Sequence, residues 1–349
     1  MSAPKPVTII GGGLAGLTLG IGLRQRGVPV TLWEAGGYPR HRVCGEFVSG
    51  RGRAVLERLG LLERFRAAGA IEVRTALFVC GPVRSPVRPL ADAALGCSRH
   101  VMDALLAEEF QERGGELRVH SRWLPGDDRE GLVHASGRVL VHPAPLPRWF
   151  GVKAHVPANQ PLSLDADLEM YLLRDGYVGI SRIGGGVVNV CGLFCVREGG
   201  RRPESKTDWL RGEPGDALHQ RLAGVEFDPG SVCSVAGLQL APRRAANRTE
   251  CRIGDALTLT PPATGNGMSM AFESAEIALD PLTAYSEGKM AWGAAQQRIA
   301  RRCDGAFARR LRWARWLQWL MSSPPAQGGL APLCLRSDWF WRWMFARTR

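Results

Sequence analysis

Gly11-Gly12-Gly13-Leu14-Ala15-Gly16 has the spacing G-x-G-x-x-G, and the chemistry of that pattern is the holding of a diphosphate. Gly11 permits a tight turn, Gly13 lets a pyrophosphate approach the backbone, and Gly16 lets a helix and a strand pack closely. Leu14 and Ala15 open a helix whose N-terminal amides and positive dipole end would face the phosphates. Glu34 closes the next apolar run. Its carboxylate can accept hydrogen bonds from ribose hydroxyls, and its charge disfavours a 2′-phosphate. Cys44 is a second candidate, a thiol that could donate a proton or simply fill space. Lys153 and His155 alternate on an expected strand and could face a substrate or solvent, and Asn189 and Cys191 share a face of another. The nine cysteines are scattered, with no C-x-x-C pair and no His completing Cys191 and Cys195 as a zinc set. No metal site is expected, and the thiols read as reduced, in a cytoplasmic protein.

These residues need elements to hold them. Val7–Ile10 reads as a strand, Leu14–Arg26 as a helix ended by Gly27, and Val28–Trp33 as a second strand, a βαβ opening. Helices are expected over Ala54–Ala68 and Ser98–Arg113, the latter capped by Ser98. Ile71–Leu90 suggests strands away from the nucleotide core. Gly151–Val156, Leu168–Leu173, Tyr177–Ile183 and Val187–Phe194 read as an antiparallel meander, and Gly199–Gly215 as a polar loop. Arg252–Ala256 returns to a strand, and Met268–Leu279 to a helix. Two tail helices, Gln296–Met321 and Asp338–Phe345, flank a Pro/Gly-rich connector, Ser322–Pro332.

A second glycine-rich segment, Arg252-Ile-Gly254-Asp255 followed by Pro261-Pro262-Ala-Thr-Gly265-Asn266-Gly267-Met268, precedes a helix. With the first motif it resembles the flavin-binding pattern of the superfamily of geranylgeranyl reductases, aromatic-ring hydroxylases and tryptophan halogenases. That resemblance implies FAD as cofactor, Asp255 on the ribityl chain, and the backbone of Gly265–Met268 at the pyrimidine edge of the flavin. A helix N-terminus there would stabilise the negative charge of the reduced ring. Arg42-Val-Cys44-Gly45-Glu46 is similar to a Cys-Gly segment of the geranylgeranyl-reductase-like branch, and Ser98-Arg99-His-Val-Met-Asp103 to the family's Arg-x-x-x-Asp helix start. By resemblance, Arg42 and Arg99 lie near the ribose or phosphates, a natural task for guanidinium groups. Three motifs of the superfamily are incomplete. His134-Ala-Ser-Gly137-Arg138 lacks the Asp of the hydroxylases, Trp209 does not sit in the halogenases' Trp-x-Trp-x-x-Pro, and Gly176–Arg182 keeps only the Tyr of the reductases' substrate-strand motif.

The fold implied is α/β, with a Rossmann-type FAD-binding domain on a discontinuous parallel sheet (1–75, 97–140 and 246–297). An antiparallel substrate domain (76–96 and 141–245) and a helical tail (298–349) complete it. The reaction expected first is a reduction or dehydrogenation of a carbon–carbon bond in a small or lipophilic molecule, with hydride passing through flavin N5. The alternatives are a monooxygenase or a non-catalytic electron-transfer flavoprotein. NADPH or NADH is the candidate transient donor. Of the net charge of +12, the tail holds about +9, from eleven Arg and two Asp, together with six of the eleven Trp. Trp and Arg at helical spacing suit either peripheral contact with the inner membrane or a helix packed across the domain junction. Nucleic acid is not an expected partner.

Overall fold

The computed structural model describes residues 3–124, 130–138, 148–196, 204–238, 240, 243–247 and 249–348. The expected loop Gly199–Gly215 and the boundary at 140–141 lie partly or wholly outside them. Val7–Ile10, apolar and almost wholly buried, takes the centre of a five-stranded parallel sheet. Its neighbours are Val30–Trp33 and then Glu116–Arg118 on one side, Leu132–His134 and then Cys251–Arg252 on the other. A central parallel strand is covered on both faces, so a continuous apolar run suits it better than an alternating one. The helix Leu14–Gln25 packs against Arg99–Glu112 and Gly267–Ser286. Residues 250 positions apart thereby share one core.

The second sheet runs Asp228–Leu238, Arg148–Val156, Val187–Val196, Gly176–Gly184, Leu168–Leu173, Ile71–Cys80, Arg88–Gly96 and Phe47–Val48. Its pairings are antiparallel except for Leu168–Leu173 beside Ile71–Cys80, which is parallel. Asp228–Leu238 was not expected as a strand. An edge strand with two register shifts accommodates its Pro and glycines. The register aligns Tyr177, Gly179 and Ser181 with Leu193, Cys191 and Asn189, and these with Gly151, Lys153 and His155. All nine therefore occupy one face, which looks toward the nucleotide layer.

Three expected elements differ for local reasons. The helix foreseen over Ala54–Ala68 is two, Gly50–Arg58 and Leu62–Ala67. The strand foreseen at Arg252–Ala256 turns into a 3-10 helix at Gly254, whose φ of +59° leaves the extended region. The connector Ser322–Pro332 is largely helical, as Pro324–Gly328 and Leu330–Arg336. Proline is tolerated in a first helical turn because its missing N–H would have had no partner there. The long helix Trp292–Ser322 spans both layers. Ala295, Ile299, Cys303, Phe307 and Leu311, spaced by four, enter the nucleotide core, and Leu317, Leu320 and Met321 enter the core of the second sheet. No helix among the described residues is long and apolar enough to cross a membrane.

Candidate cofactor and substrate site

The two glycine-rich turns meet. Gly11, Gly13, Leu14 and Ala15 line one side of a cleft of about 440 Å³, and Pro262, Gly265, Gly267 and Met268 line the other. Gly11 has a φ of +105°, and a Cβ there would lie 2.4 Å from the carbonyl oxygen of Ala135. Gly16 does not line the cleft. It lies directly beneath, where a Cβ would meet the Gly11 carbonyl oxygen at 2.0 Å. Gly13 and Gly267 have open space where a Cβ would be, so each leaves bare backbone on the cleft. Each also stands at the start of a helix, Leu14–Gln25 or Gly267–Ser286. Unpaired first-turn amides of two helices thus converge on one slot. Gly254 and Asn266 sit behind its wall. Gly254 lies against Ala15 and donates its N–H to Ser274 Oγ at 2.9 Å, and Asn266 is buried at the cap of the second helix.

Charged groups surround the cleft in matched sets. Glu34 accepts the N–H groups of Gly12 and Gly36, both at 2.8 Å, and pairs with Arg40 at 2.7 Å. Burial works against its ionisation, but these two amides and Arg40 hold the carboxyl below its usual range. A carboxylate has about four acceptor positions, which leaves room for a ribose hydroxyl. Arg42 and Arg99 line the cleft, and the fully buried Asp103 holds both. Arg99 forms two bonds to it, at 2.8 and 2.9 Å, and Arg42 one at 3.0 Å. Asp103 and Arg40 were absent from the expected site. Asp103 had a signal, its i+4 spacing from Arg99, and Arg40 had none. Asp255 lines the cleft, has no hydrogen-bond partner among the described residues, and its carboxyl is pushed up by burial. A half-buried carboxyl group without a partner, facing the cleft, is what a chain of ribityl hydroxyls would satisfy. The donors and the bare backbone therefore fit a flavin dinucleotide.

Between the cleft and the second sheet runs the segment Arg42–Phe47, tied down at consecutive residues. Asn189 Nδ2 donates to the Cys44 carbonyl and Ser181 Oγ to the Gly45 carbonyl, each at 3.1 Å. Glu46 is fully buried with a φ of +54°. Its carboxylate takes the Arg99 N–H at 2.8 Å, His155 Nε2 at 2.7 Å and Lys153 Nζ at 3.1 Å. Lys153 and His155, expected to face substrate or solvent, thus face neither. Both are buried beneath this segment and hold it. His41 completes the cluster, 3.1 Å from Lys153 Nζ and stacked on His100. Burial, and then the Lys153 charge, lower the His41 imidazole to about 4. Cys44 keeps its candidacy by position, lining both the cleft and the cavity behind it. Burial raises its thiol, so it stays protonated.

That cavity, of about 160 Å³, is mostly apolar. Met170, Tyr177, Gly179, Cys191 and Leu193 of the second sheet form its floor. Pro262–Gly265 and the Val43–Gly45 backbone separate it from the cleft, and Leu317, Trp341 and Met344 of the tail close its far end. The tail is thus a wall of the site, and its buried Arg310 is anchored by two 2.7 Å bonds to Glu273 of the second cofactor helix.

Residues 5–138 match the family model of the FAD binding domain. The cofactor is FAD. The whole chain shares its fold with solved flavoenzymes. The flavin-dependent brominase Bmp2 superposes with a TM-score of 0.74 at 18% identity, over 100% of this chain and 95% of that one. PqsL from Pseudomonas aeruginosa, described as a probable FAD-dependent monooxygenase, gives 0.70 at 17% identity, over 93% and 98%. The flavin-dependent halogenase CmlS gives 0.69 at 21%, over 98% and 67%. No curated protein sequence matches the chain. The family model and the site together support an FAD-dependent oxidoreductase.

Proposed function

We propose that this flavoprotein is a monooxygenase that inserts one oxygen atom into a small apolar substrate. The observation that carries the reading is the adjoining of the two spaces. The cofactor cleft and the apolar cavity share Val43, Cys44, Gly45, Phe47, Arg138, Pro262 and Gly265 as lining. A ring held at Gly265–Met268 would look into a mostly apolar pocket closed by Trp341 and Met344. FAD, once reduced by a nicotinamide donor, would supply the two electrons that activate molecular oxygen, one atom going to the substrate and the other leaving as water. The chain supplies the rest. Gly11–Ala15 and the Asp103-oriented pair Arg42 and Arg99 bind the diphosphate, Asp255 and Glu34 receive hydroxyls, and the helix starting at Gly267 favours negative charge on the ring. The buried Glu46–Lys153–His155 set fixes the Arg42–Phe47 segment, and Cys44, protonated at the boundary, can deliver a proton there.

Reduction of a carbon–carbon bond, implied by the resemblance of Arg42–Glu46 to the reductase branch, is the competing reading. The fold neighbours, described as halogenases and a monooxygenase, favour oxygen chemistry, although the hydroxylases' Asp is missing before Gly137. Turnover with NADPH or NADH and a panel of single-ring compounds under ¹⁸O₂ separates the two. The product should carry the label, and its formation should stop under argon. Unlabelled product formed at an undiminished rate under argon would establish the reductase instead.

A further inference from the structure

Of the six Trp in the tail, only Trp341 lines the cavity. Trp313 and Trp316 of the helix Trp292–Ser322 meet Trp339, Phe340 and Trp343 of the helix Asp338–Thr348 in one continuous aromatic patch. Between ring centroids, Trp313 lies 5.9 Å from Trp316 and 4.7 Å from Trp343, and Trp339 lies 6.0 Å from Trp343. Phe340 bridges Trp316 and Trp343 at 6.0 and 5.9 Å. None of the five rings is buried, and Trp339 is 71% exposed. Of the seven large apolar side chains exposed among the described residues, four, Trp319, Leu330, Leu333 and Trp339, belong to this tail. A monomeric soluble protein rarely gathers exposed apolar surface in this way without a partner for it.

The patch is set in uncommitted positive charge. Arg309 stands four residues before Trp313, Arg312 four before Trp316 and Arg342 three after Trp339, spacings that place each beside its ring on the helix surface. All three are exposed. None of them pairs with a carboxylate among the described residues, whereas Arg302 and Arg310 of the same long helix do. The two acidic residues of the tail are occupied: Asp304 accepts the Ala245 and Ala246 amides, and Asp338 pairs with Arg88 at 2.8 Å. Arg347 lies over the Trp313 and Trp343 rings, and Trp339 stacks on Trp343, which leaves few open ring faces for the bases of a single-stranded nucleic acid. Indole rings beside guanidinium groups suit instead the headgroup layer of a bilayer, where the ring sits at the boundary and Arg meets phosphate.

We propose that this face docks the folded protein on the surface of an anionic phospholipid bilayer. The rings of Trp313, Trp316, Trp339 and Trp343 enter the headgroup layer, and Arg309, Arg312 and Arg342 pair with lipid phosphates. The contact is peripheral, since no helix among the described residues is long and apolar enough to span the bilayer. The same two helices supply Leu317, Trp341 and Met344 to the cavity wall, so the docking face and the cavity share their scaffold.

Flotation of the FAD-loaded full chain with lipid vesicles tests this. At low salt the protein should rise with vesicles of phosphatidylcholine mixed with phosphatidylglycerol and stay behind with phosphatidylcholine alone. Added salt should release it, and binding should shift the Trp emission to the blue. Arg309→Gln with Arg312→Gln should weaken binding about thirtyfold. Trp339→Ala should weaken it as well, and both variants should keep their flavin. Equal flotation with both vesicles, flotation with neither, or undiminished binding by the double Arg variant overturns the proposal. So does tighter binding to a single-stranded oligonucleotide than to the mixed vesicles at equal phosphate concentration. A dimer on gel filtration that Trp339→Ala disperses would show the face covered by a second copy of the chain, and would overturn it too.

Discussion

A methyl group added at Gly16 would stand 2.0 Å from the Gly11 carbonyl oxygen, inside backbone that has no room to yield. Overpacking of this kind costs about 1–3 kcal/mol. Gly16→Ala should therefore weaken FAD binding by roughly ten- to a hundredfold, read by flavin fluorescence in a dilution series, and unchanged affinity would contradict the packing described. The cluster beneath Arg42–Phe47 gives a pH signature. His41 resists protonation in the fold, with its imidazole lowered from 6.5 to about 4, and accepts it freely when unfolded. Its contribution to stability is present above pH 6.5 and is lost as pH falls from 6.5 to about 4. The Glu46 carboxyl lies below its usual 4.5, because His155, Lys153 and the Arg99 amide outweigh burial. Its contribution is present above pH 4.5 and is lost below that value. The melting temperature of the holoprotein should fall across the upper window and again across the lower. His41→Gln should flatten the upper fall only, and a pH-independent melting temperature would refute the assignment. The two glycine-rich turns were legible because local spacing encodes a turn and a helix start, and the fold brings them, with Glu34 and Asp255, to one cleft. Glu46, Lys153 and His155 were not legible as one cluster, since 107 and 109 positions separate Glu46 from Lys153 and His155 and only strand register joins those two.

At the scale of elements, the βαβ opening and three strands of the meander followed directly from hydrophobic period, whereas the fourth, Arg148–Val156, pairs with Val187–Val196 rather than with its sequence neighbour Leu168–Leu173. Leu168–Leu173 has the bounds that alternation foretold. The edge strand Asp228–Leu238 did not show itself, because edge pairing tolerates the Pro and Gly that mark loops elsewhere. The tail helix was foreseen, but its function as a cavity wall was not, since nothing local says which core an amphipathic face will enter. Its anchorage can be measured. Arg310 and Glu273 are nearly buried, and the two terminal guanidinium nitrogens each donate to one carboxylate oxygen. Glu273→Ala alone leaves a buried guanidinium unpaired and should cost about 3–5 kcal/mol in urea unfolding. Replacing both, Arg310→Met with Glu273→Leu, should recover most of that loss. A single variant as stable as the wild type would show that the pair does not hold the helix.

For the whole molecule, the basic tail is part of the folded body. Ile299, Phe307 and Leu311 complete the nucleotide core, and Leu317, Trp341 and Met344 close the cavity. Removal of residues 298–349 should therefore give aggregated or flavin-free protein, as judged by gel filtration with detection at the flavin band. A soluble, monomeric, yellow truncation would place the tail outside the fold and return it to the role of a surface appendage. The central claim is that two glycine-rich turns, about 250 residues apart, close on a single FAD whose ring borders the apolar cavity. A crystal structure of the FAD-loaded protein tests it most directly. The diphosphate should lie at the backbone of Gly11–Ala15 and the flavin ring at Gly265–Met268. Density for the ring away from Gly265–Met268, or side chains filling the cleft between the turns, would contradict the account.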